Sequence, residues 1–400
     1  MTVRILHLAP QPTDHSGIAA YAVRYRRAVA AQPDLEIELL DLPAAEPGSI
    51  AHVRRYAAEA ARVAERFDVV HAELGGSGLR ELYAARAVAH RARVPVVLTA
   101  HDPPWLVWQP FHVATVSGRR STRALVAVVG RALAHRMQRT LARRAAAILT
   151  LSDHGSARLA DTLGVAATTL PYPYGPRTDR GPAGREEPTD RGGTVDASDR
   201  GLVVGFHGYW YRGKGLEVLL DAIARTRDDA QPIRLRLWGE PPVGSGGRAG
   251  ERYRATILAR VDRLAIADRV DVAGPLAAED VPARLGACDV VALPYEERRG
   301  SPGLASISSV AYDAYDAGTP IVASRVRALP ELVDDGVDGV LVPPGDAGEL
   351  ATTLRALRDD PSRRRALRAG ARARGQALGL DATGRAARAV YTDLPRSTGT

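Results

Sequence analysis

The chain has 400 residues, more than a single hydrophobic core usually holds, so we expect two domains. No apolar stretch approaches the roughly 20 residues of a membrane-spanning helix, and the single cysteine, Cys288, excludes an internal disulfide and a cysteine-rich zinc site. The net charge is +8, and almost all of the basic residues are arginine. This excess of basic residues fits an anionic ligand, a membrane surface or a biased composition. No RNA-binding aromatic strand or zinc knuckle supports nucleic-acid binding.

Short β-branched runs alternate with helical stretches from the first residues onward. The strands predicted in the first half are Val3–Ala9, Leu35–Leu40, Val69–His71, Val94–Thr99 and Ala146–Leu151. The N-terminal run is predicted to be a strand and not a signal peptide, because no basic segment and long apolar segment mark a leader. Together with the lone cysteine this predicts a cytoplasmic protein.

A histidine follows the strand Val94–Thr99. Ligands of open parallel sheets bind beyond the carboxyl ends of the strands, so His101 and the neighbouring Asp102 are candidates for a functional site. A lone histidine is more often structural, but this position favours a functional role.

A basic segment, residues 119–144, contains eight arginines and no acidic residue. Trp105, Trp108 and Phe111 precede it. Three interpretations stay open. In the first, the segment is a basic amphipathic helix that lies on an anionic membrane surface. In the second, it forms one or two solvated helices that pack by an apolar face. In the third, Trp105 and Trp108 line an acceptor pocket.

Residues 176–200 are rich in Pro, Gly, Asp and Arg and predict a flexible linker between two domains. The strands predicted beyond it are Gly201–Phe206, Ile233–Trp238, Val270–Val272, Val290–Leu293, Pro320–Ala323 and Val340–Val342. The alternation of strands and helices predicts an α/β protein with two doubly wound, Rossmann-like parallel sheets. A C-terminal helix is predicted at about 378–394.

Residues 201–223 combine a strand, a glycine-rich turn and the start of a helix, with Lys214 at the turn. Backbone N–H groups, the helix dipole and the ammonium group together favour an anion. The sequence from Gly208 to Lys214 nearly matches a P-loop, but Gly215 replaces the Ser or Thr that would hold Mg²⁺. From these residues alone, a phosphate site and an ordinary strand–turn–helix corner are both open.

The segment from Ala287 to Asp346 carries the run AGTPIVAS, then LPELV, then DG-x-x-GVLVPPGD. These motifs, with KGLEVLLDAI upstream, resemble the donor half of the retaining GT-B glycosyltransferases of family 4. The resemblance is continuous from about Gly201 to Arg374. In the first half, HLAPQPTDHSGIAAYA and VVLTAHD resemble the family's first glycine loop and its acceptor-side histidine strand.

The resemblance implies two Rossmann-like domains facing across a cleft. Residues 1–175 would form the acceptor-side domain, with the C-terminal helix packing back on it, and residues 201–377 the donor domain. It also implies transfer of a hexosyl group from a nucleotide-diphosphate sugar, without metal or other cofactor, to a small-molecule or lipid-linked acceptor. For a lipid-linked acceptor, residues 119–144 would make peripheral contact with the inner face of the membrane.

The family's donor-site roles fall on matching residues of this chain. The resemblance assigns His101 to contact with the transferred sugar and Lys214 to the diphosphate charge. The other expected donor-site residues are Gly17, Gly208, Arg212, Gly300, Ser301, Gly303, Leu304 and Glu331. Those from 300 to 304 precede a helix predicted over Leu304–Ala317. Glu331 is also explained as an ordinary acid at a helix start.

The expected acceptor-side residues are Asp14, His15, Asp102, Trp105 and Trp108. Asp14 and His15 are equally well explained as part of a surface loop. Gly17 would let that loop approach the phosphate closely.

The chain departs from the family pattern at two places. Tyr209 stands where the family has the arginine of a glycine–arginine pair, so a second phosphate cation is missing; Arg212 is a candidate substitute. The family's pair of glutamates eight positions apart is also missing, since Asp313 stands eight positions after Ala305. Two alternatives therefore stay open: a GT-B nucleotide-sugar epimerase or hydrolase, and a non-catalytic scaffold that binds sugar nucleotides.

Overall fold

The structure is a computed structural model. It describes residues 2–11, 17–42, 49–76, 78–107, 120–174, 201–241, 248–297 and 307–395, without the side chains of 120–131 and 248–249. Described residues before Gly175 and from Gly379 onward form one compact unit. Those from Gly201 to Leu378, apart from Ile307, form a second.

The first unit is built on a six-stranded parallel sheet. Its strands are β1 (Val3–Leu8), β2 (Leu35–Leu39), β3 (Val69–Leu74), β4 (Val96–Ala100), β5 (Ala147–Thr150) and β6 (Thr168–Thr169), in the order β2-β1-β3-β4-β5-β6. Its helices are α1 (Gly17–Ala30), α2 (Ile50–Val63), α3 (Leu79–Arg91), α4 (Arg120–Arg144), α5 (Asp153–Leu163) and, from the C-terminus, α13 (Leu380–Asp393).

The second unit is also built on a six-stranded parallel sheet. Its strands are β7 (Leu202–His207), β8 (Ile233–Trp238), β9 (Val270–Ala273), β10 (Val290–Leu293), β11 (Ile321–Ser324) and β12 (Gly339–Val342), in the order β12-β11-β10-β7-β8-β9. Its helices are α6 (Leu216–Arg225), α7 (Arg248–Arg263), α8 (Val281–Gly286), α9 (Ser309–Asp316), α10 (Leu329–Leu332), α11 (Ala347–Asp359) and α12 (Pro361–Ala377).

Local sequence explains where several helices begin and end. Ser49, Ser152 and Asp346 cap α2, α5 and α11, each side chain accepting a hydrogen bond from a backbone N–H of the first turn. Gly164 ends α5 in the left-handed conformation that glycine adopts without strain. The central strands are buried on both faces, as expected of a parallel sheet covered by helices.

The predicted fold class is confirmed, and all eleven predicted strands are present. Three local predictions were wrong. Strand β3 continues past His71 to Leu74, the two-residue edge strand β6 was not predicted, and Ile307 and Ser308 precede α9 where a helix was expected. The predicted strand was too short because the polar Glu73 is accommodated inside β3, where its side chain is buried.

Each sheet has one point where the strand order reverses. In the first unit β1 leads to β2 on one side, and the chain then returns to β3 on the other. In the second unit the corresponding pair is β7 and β10. Crevices open at the carboxyl ends of such strand pairs, and ligands of doubly wound folds bind there.

Helix α4 carries much of the basic segment predicted over residues 119–144. Where its side chains are described, Leu141 and Ala142 are buried while Arg136, Arg139 and Arg143 are exposed. That half of the helix packs by an apolar face with its arginines in solvent. Among the described residues, no helix is both long enough and apolar enough to cross a bilayer.

Candidate functional site

The turn after β7 is shaped by glycines. Gly208, Gly213 and Gly215 have φ angles of 124°, 98° and 72°, a region that side chains strain to reach. A Cβ at Gly215 would lie 1.7 Å from the carbonyl oxygen of Pro294. The Ser or Thr of a P-loop has no room here, and the backbone brings Lys214 directly before the N-terminus of α6.

Lys214 lies at the switch point of the second sheet. Its Nζ donates a hydrogen bond of 2.7 Å to the hydroxyl of Tyr295, which follows β10, and sits 4.0 Å from the centroid of the Tyr295 ring. The Tyr295 hydroxyl is hydrogen-bonded in turn to Ser308 Oγ at 2.9 Å. Burial alone would lower the pKa of Lys214, but Tyr211 and Tyr295 raise it above its ordinary value, so the ammonium stays charged. It is the only lysine in the chain.

The other predicted donor-site residues are placed as follows. Gly208 begins the turn. Arg212 is exposed, with its guanidinium over the ring of Tyr253, 5.7 Å from the centroid. Glu331 is exposed in the first turn of the short helix α10. Gly300, Ser301, Gly303 and Leu304 lie outside the described residues.

In the first unit, His101 and Glu73 meet at the carboxyl ends of β4 and β3. His101 Nε2 lies 2.8 Å from one carboxylate oxygen of Glu73, and His7 Nε2 lies 2.9 Å from the other. Burial raises the pKa of Glu73, but the hydrogen bonds from His101 and His7 outweigh it and leave the pKa below its ordinary value. An ionised carboxylate only accepts, so both histidines donate through Nε2.

A second group of buried polar side chains lies beside Glu73. His71 is hydrogen-bonded through Nε2 to Thr99 Oγ1 at 2.6 Å and through Nδ1 to the hydroxyl of Tyr391 on α13. Tyr391 is also hydrogen-bonded to Tyr25 of α1 at 2.7 Å. Burial lowers the pKa of His71 to about 3, so this ring is neutral at physiological pH. We call His7, His71, Glu73, His101 and Tyr391 the buried polar cluster.

The remaining predicted residues of the first unit are less closely tied to His101. Asp102 accepts a 2.6 Å hydrogen bond from the backbone N–H of Gly76. Trp105 packs on the hydrophobic core and contacts the ring of His135 edge to face. Gly17 begins α1, and an added Cβ would meet nothing within 4 Å. Asp14, His15 and Trp108 lie outside the described residues.

Three members of the buried polar cluster are of residue types that bind metal ions. One ligand atom each from His7, His71 and Glu73 lie within 4.8 Å of one another. His7 and Glu73 already hydrogen-bond to each other, and both ring nitrogens of His71 are taken by Thr99 and Tyr391. We therefore assign them to the hydrogen-bonding network around His101.

Glu73, His7 and Arg327 were not predicted from the sequence as site residues, and the contact of Tyr295 with Lys214 was not predicted either. The first two carried a usable signal, since a histidine and a glutamate inside apolar strands must find partners when buried. Tyr295 carried none, because its contact with Lys214 joins residues 81 positions apart.

Two family models match the chain. The model described as glycosyl transferases group 1 matches residues 201–360. The model described as a glycosyl transferase 4-like domain matches residues 2–175. Together they cover both units.

Two curated relatives are similar in sequence. The chain is 30% identical over 301 residues to a 2-deoxystreptamine glucosyltransferase of Streptomyces kanamyceticus, covering 74% of this chain and 69% of that protein. It is 36% identical over 168 residues to a D-inositol 3-phosphate glycosyltransferase of Corynebacterium kroppenstedtii, covering 41% of this chain and 34% of that one.

Solved structures share the fold. HepE of Anabaena, crystallised with UDP and glucose, superposes with a TM-score of 0.67 at 21% identity, over 98% of this chain and all of that one. Sucrose-phosphate synthase of Thermosynechococcus elongatus gives a TM-score of 0.70 at 20% identity, over 98% of both chains. Both structures support a fold of two Rossmann-like domains.

Proposed function

This chain belongs to the group 1 glycosyl transferases and is a glycosyltransferase, and from its site we propose that it moves a hexosyl group from a nucleotide-diphosphate sugar to an acceptor, with retention and without a metal. The observation that carries this proposal is the position of Lys214. Its ammonium lies at the switch point of the second sheet, where it donates a hydrogen bond to the Tyr295 hydroxyl and lies next to the N-terminus of α6.

The proposed role of Lys214 is electrostatic. As the bond between sugar and phosphate breaks, negative charge grows on the departing diphosphate. A fixed ammonium and a helix N-terminus stabilise that charge more than they stabilise the intact donor, and this difference accelerates the reaction. Its raised pKa keeps Lys214 protonated for this purpose.

We assign His101 to the transferred sugar and the first unit to the acceptor. With Nε2 bound to Glu73, the ring is held in one orientation and leaves Nδ1 for a ligand. The two relatives are named for 2-deoxystreptamine and D-inositol 3-phosphate, both cyclitols. A cyclitol is therefore the acceptor class we propose. HepE was crystallised with UDP-glucose, which makes this the first donor to test.

The decisive experiment measures release of nucleoside diphosphate from a panel of nucleotide sugars, with and without cyclitols, in the presence of EDTA. We expect release that depends on the acceptor and persists in EDTA, and a product with the donor's anomeric configuration by NMR. Release without an acceptor would indicate a hydrolase or epimerase, and binding without release a non-catalytic scaffold.

Lys214→Ala should lower kcat by about 10²–10³-fold, the usual effect of removing one transition-state donor. The matched control is Arg225→Ala, which removes an exposed cation from the other end of α6 and should leave kcat unchanged. Full activity in Lys214→Ala would overturn the assigned site.

The lone lysine allows a second test that needs no turnover. Acetylation with an N-hydroxysuccinimide ester should modify only the N-terminal amine and Lys214, and each product is counted by intact mass. UDP should protect Lys214 and leave the N-terminal amine reactive. Equal labelling with and without the nucleotide would contradict diphosphate binding at Lys214.

A further inference from the structure

Arg327 has an unusual backbone conformation. Its φ angle is 57°, in the left-handed region that favours glycine. Ala265 is the other non-glycine residue with positive φ in the described chain, and it follows the C-terminus of α7, where this conformation is common. Arg327 instead precedes α10. A strained backbone away from a helix end is often retained because it positions the side chain for a function.

The guanidinium of Arg327 is incompletely paired. Nη2 donates a hydrogen bond to the backbone carbonyl of Glu296. The buried Nε has no hydrogen-bond partner among the described residues. Burial lowers the pKa of Arg327. Arg327 is thus a half-buried cation whose guanidinium is only partly hydrogen-bonded, and the carboxylates of Glu297 and Glu296 favour its charged form.

Arg327 and Lys214 are attached to the same short segment. Lys214 hydrogen-bonds to the side chain of Tyr295, and Arg327 to the carbonyl of Glu296. The N–H of Glu296 donates at 3.0 Å to the carbonyl of Gly213, next to Lys214. Lys214 follows β7, Tyr295 follows β10 and Arg327 follows β11, and these three strands are neighbours in the sheet. The two cations and the tyrosine between them therefore lie at the same edge of the sheet.

The two charges repel each other, and Arg327 acts against the protonation of Lys214. An anion placed between them would relieve this repulsion. Tyr209, where the family resemblance places an arginine, has an exposed side chain and no positive charge. Arg212, the substitute expected from the sequence, is directed onto Tyr253.

We propose that Arg327 supplies the second cation of the donor diphosphate site, opposite Lys214, in place of the arginine missing at position 209. The proposal rests on the proposed function and deepens it. The strained conformation is retained because it directs the guanidinium to the segment that also holds Lys214, where its positive charge attracts a phosphate group.

Arg327→Gly is a sharp test, because glycine suits the positive φ angle while the guanidinium is lost. We expect unchanged or higher thermal stability and at least tenfold weaker binding of UDP by calorimetry. Binding of uridine, which has no phosphate, should stay the same. Arg327→Asn is the second variant, since asparagine also tolerates this conformation. The matched control is Arg325→Ala, two positions earlier, whose side chain pairs with Asp335 at 2.8 Å.

The outcomes separate this inference from the proposed function. If Lys214→Ala weakens UDP binding and Arg327→Gly does not, the second-cation role is wrong and the donor site stands. Equal loss of UDP and uridine in Arg327→Gly would assign the residue to loop shape and also overturn the inference. If neither variant changes the binding of UDP, GDP or ADP, the donor site itself is wrong.

Discussion

At the scale of single residues, the pairing of Glu73 with His101 is the most consequential contact in the first unit. Glu73 is 1% exposed and joins His7 to His101 through its two oxygens. A buried carboxylate that accepts from a histidine fixes the tautomer and the orientation of the ring. Under the proposed function Glu73 is therefore a positioning residue, which would act on the transferred sugar through His101.

Glu73→Gln keeps the size of the side chain and removes its charge. Second-layer changes of this kind typically cost 10–100-fold, so we expect kcat to fall by about 10–100-fold. The dissociation constant for UDP should stay the same, because the Lys214 site belongs to the other unit. Steady-state kinetics and calorimetry measure the two quantities.

The matched control for this change is Glu81→Gln. Glu81 is a second buried carboxylate of the first unit, paired with Arg80 on α3 at 2.6 Å. It should keep the wild-type kcat. If Glu73→Gln keeps it as well, Glu73 has only a structural role.

At the scale of elements, α13 completes the first unit from the far end of the sequence. Tyr391 reaches Tyr25 and His71, and Arg388 pairs with Asp34 at 2.6 Å. Gly384 lies against α1, where an added Cβ would lie 2.4 Å from the carbonyl oxygen of Ala28. This close approach makes glycine necessary in the middle of a helix.

Gly384→Ala should therefore destabilise the first unit. Alanine in an open helix position would stabilise by about 0.5–1 kcal/mol, but overpacking against a backbone carbonyl costs about 1–3 kcal/mol. We expect a net loss in the free energy of unfolding, measured by urea titration. In Gly379→Ala, just before α13, the nearest atom to the new Cβ lies 4.0 Å away, and stability should be kept. Equal stability of both variants would show that α13 does not pack as closely as described.

Elements were easier to predict from the sequence than contacts between them. The β-branched runs and the helical stripe of α6 depend on local periodicity, so strands and fold class could be predicted. His101 was found because it directly follows a strand, and Lys214 because it lies in a glycine-rich turn between a strand and a helix. Glu73, Tyr295 and Arg327 act through side-chain contacts between strands distant in sequence, which no local pattern encodes. The left-handed conformation of Arg327 has no local signal either.

At the scale of the whole molecule, the two units place their polar groups in matching positions of matching sheets. In both, the candidate residues gather at the carboxyl ends of three neighbouring strands, two of which flank the reversal of strand order. These strands are β1, β3 and β4 in the first unit and β7, β10 and β11 in the second. Their chemistry differs, however. The first unit buries a carboxylate among histidines, whereas the second gathers cations, so pH should affect the two units unequally.

The stability of the first unit should fall in mild acid. Burial lowers the pKa of His71 to about 3, and that of His7 is also lowered by burial. In the unfolded chain both would titrate near about 6.5. As the pH falls below 6.5, His71 and His7 bind protons in the unfolded chain but stay neutral in the folded unit. The stabilisation present above pH 6.5 is therefore lost progressively toward pH 3, at up to about 1.4 kcal/mol per pH unit for each histidine.

This dependence can be measured unit by unit through hydrogen exchange of peptides from β3 and β8 during urea titrations between pH 6.5 and 4.5. Glu73, which would titrate near about 4.3 in the unfolded chain, adds to this dependence only toward the acid end of the window. The β3 peptide should lose protection more steeply than the β8 peptide. His71→Asn should reduce the pH dependence of the free energy of unfolding by the equivalent of about one bound proton. His154→Asn, on α5 outside the buried polar cluster, should leave it unchanged. A β3 slope unaffected by His71→Asn would mean that the folded unit accommodates the charged imidazolium, and the cluster would then have to be treated as proton-binding at neutral pH.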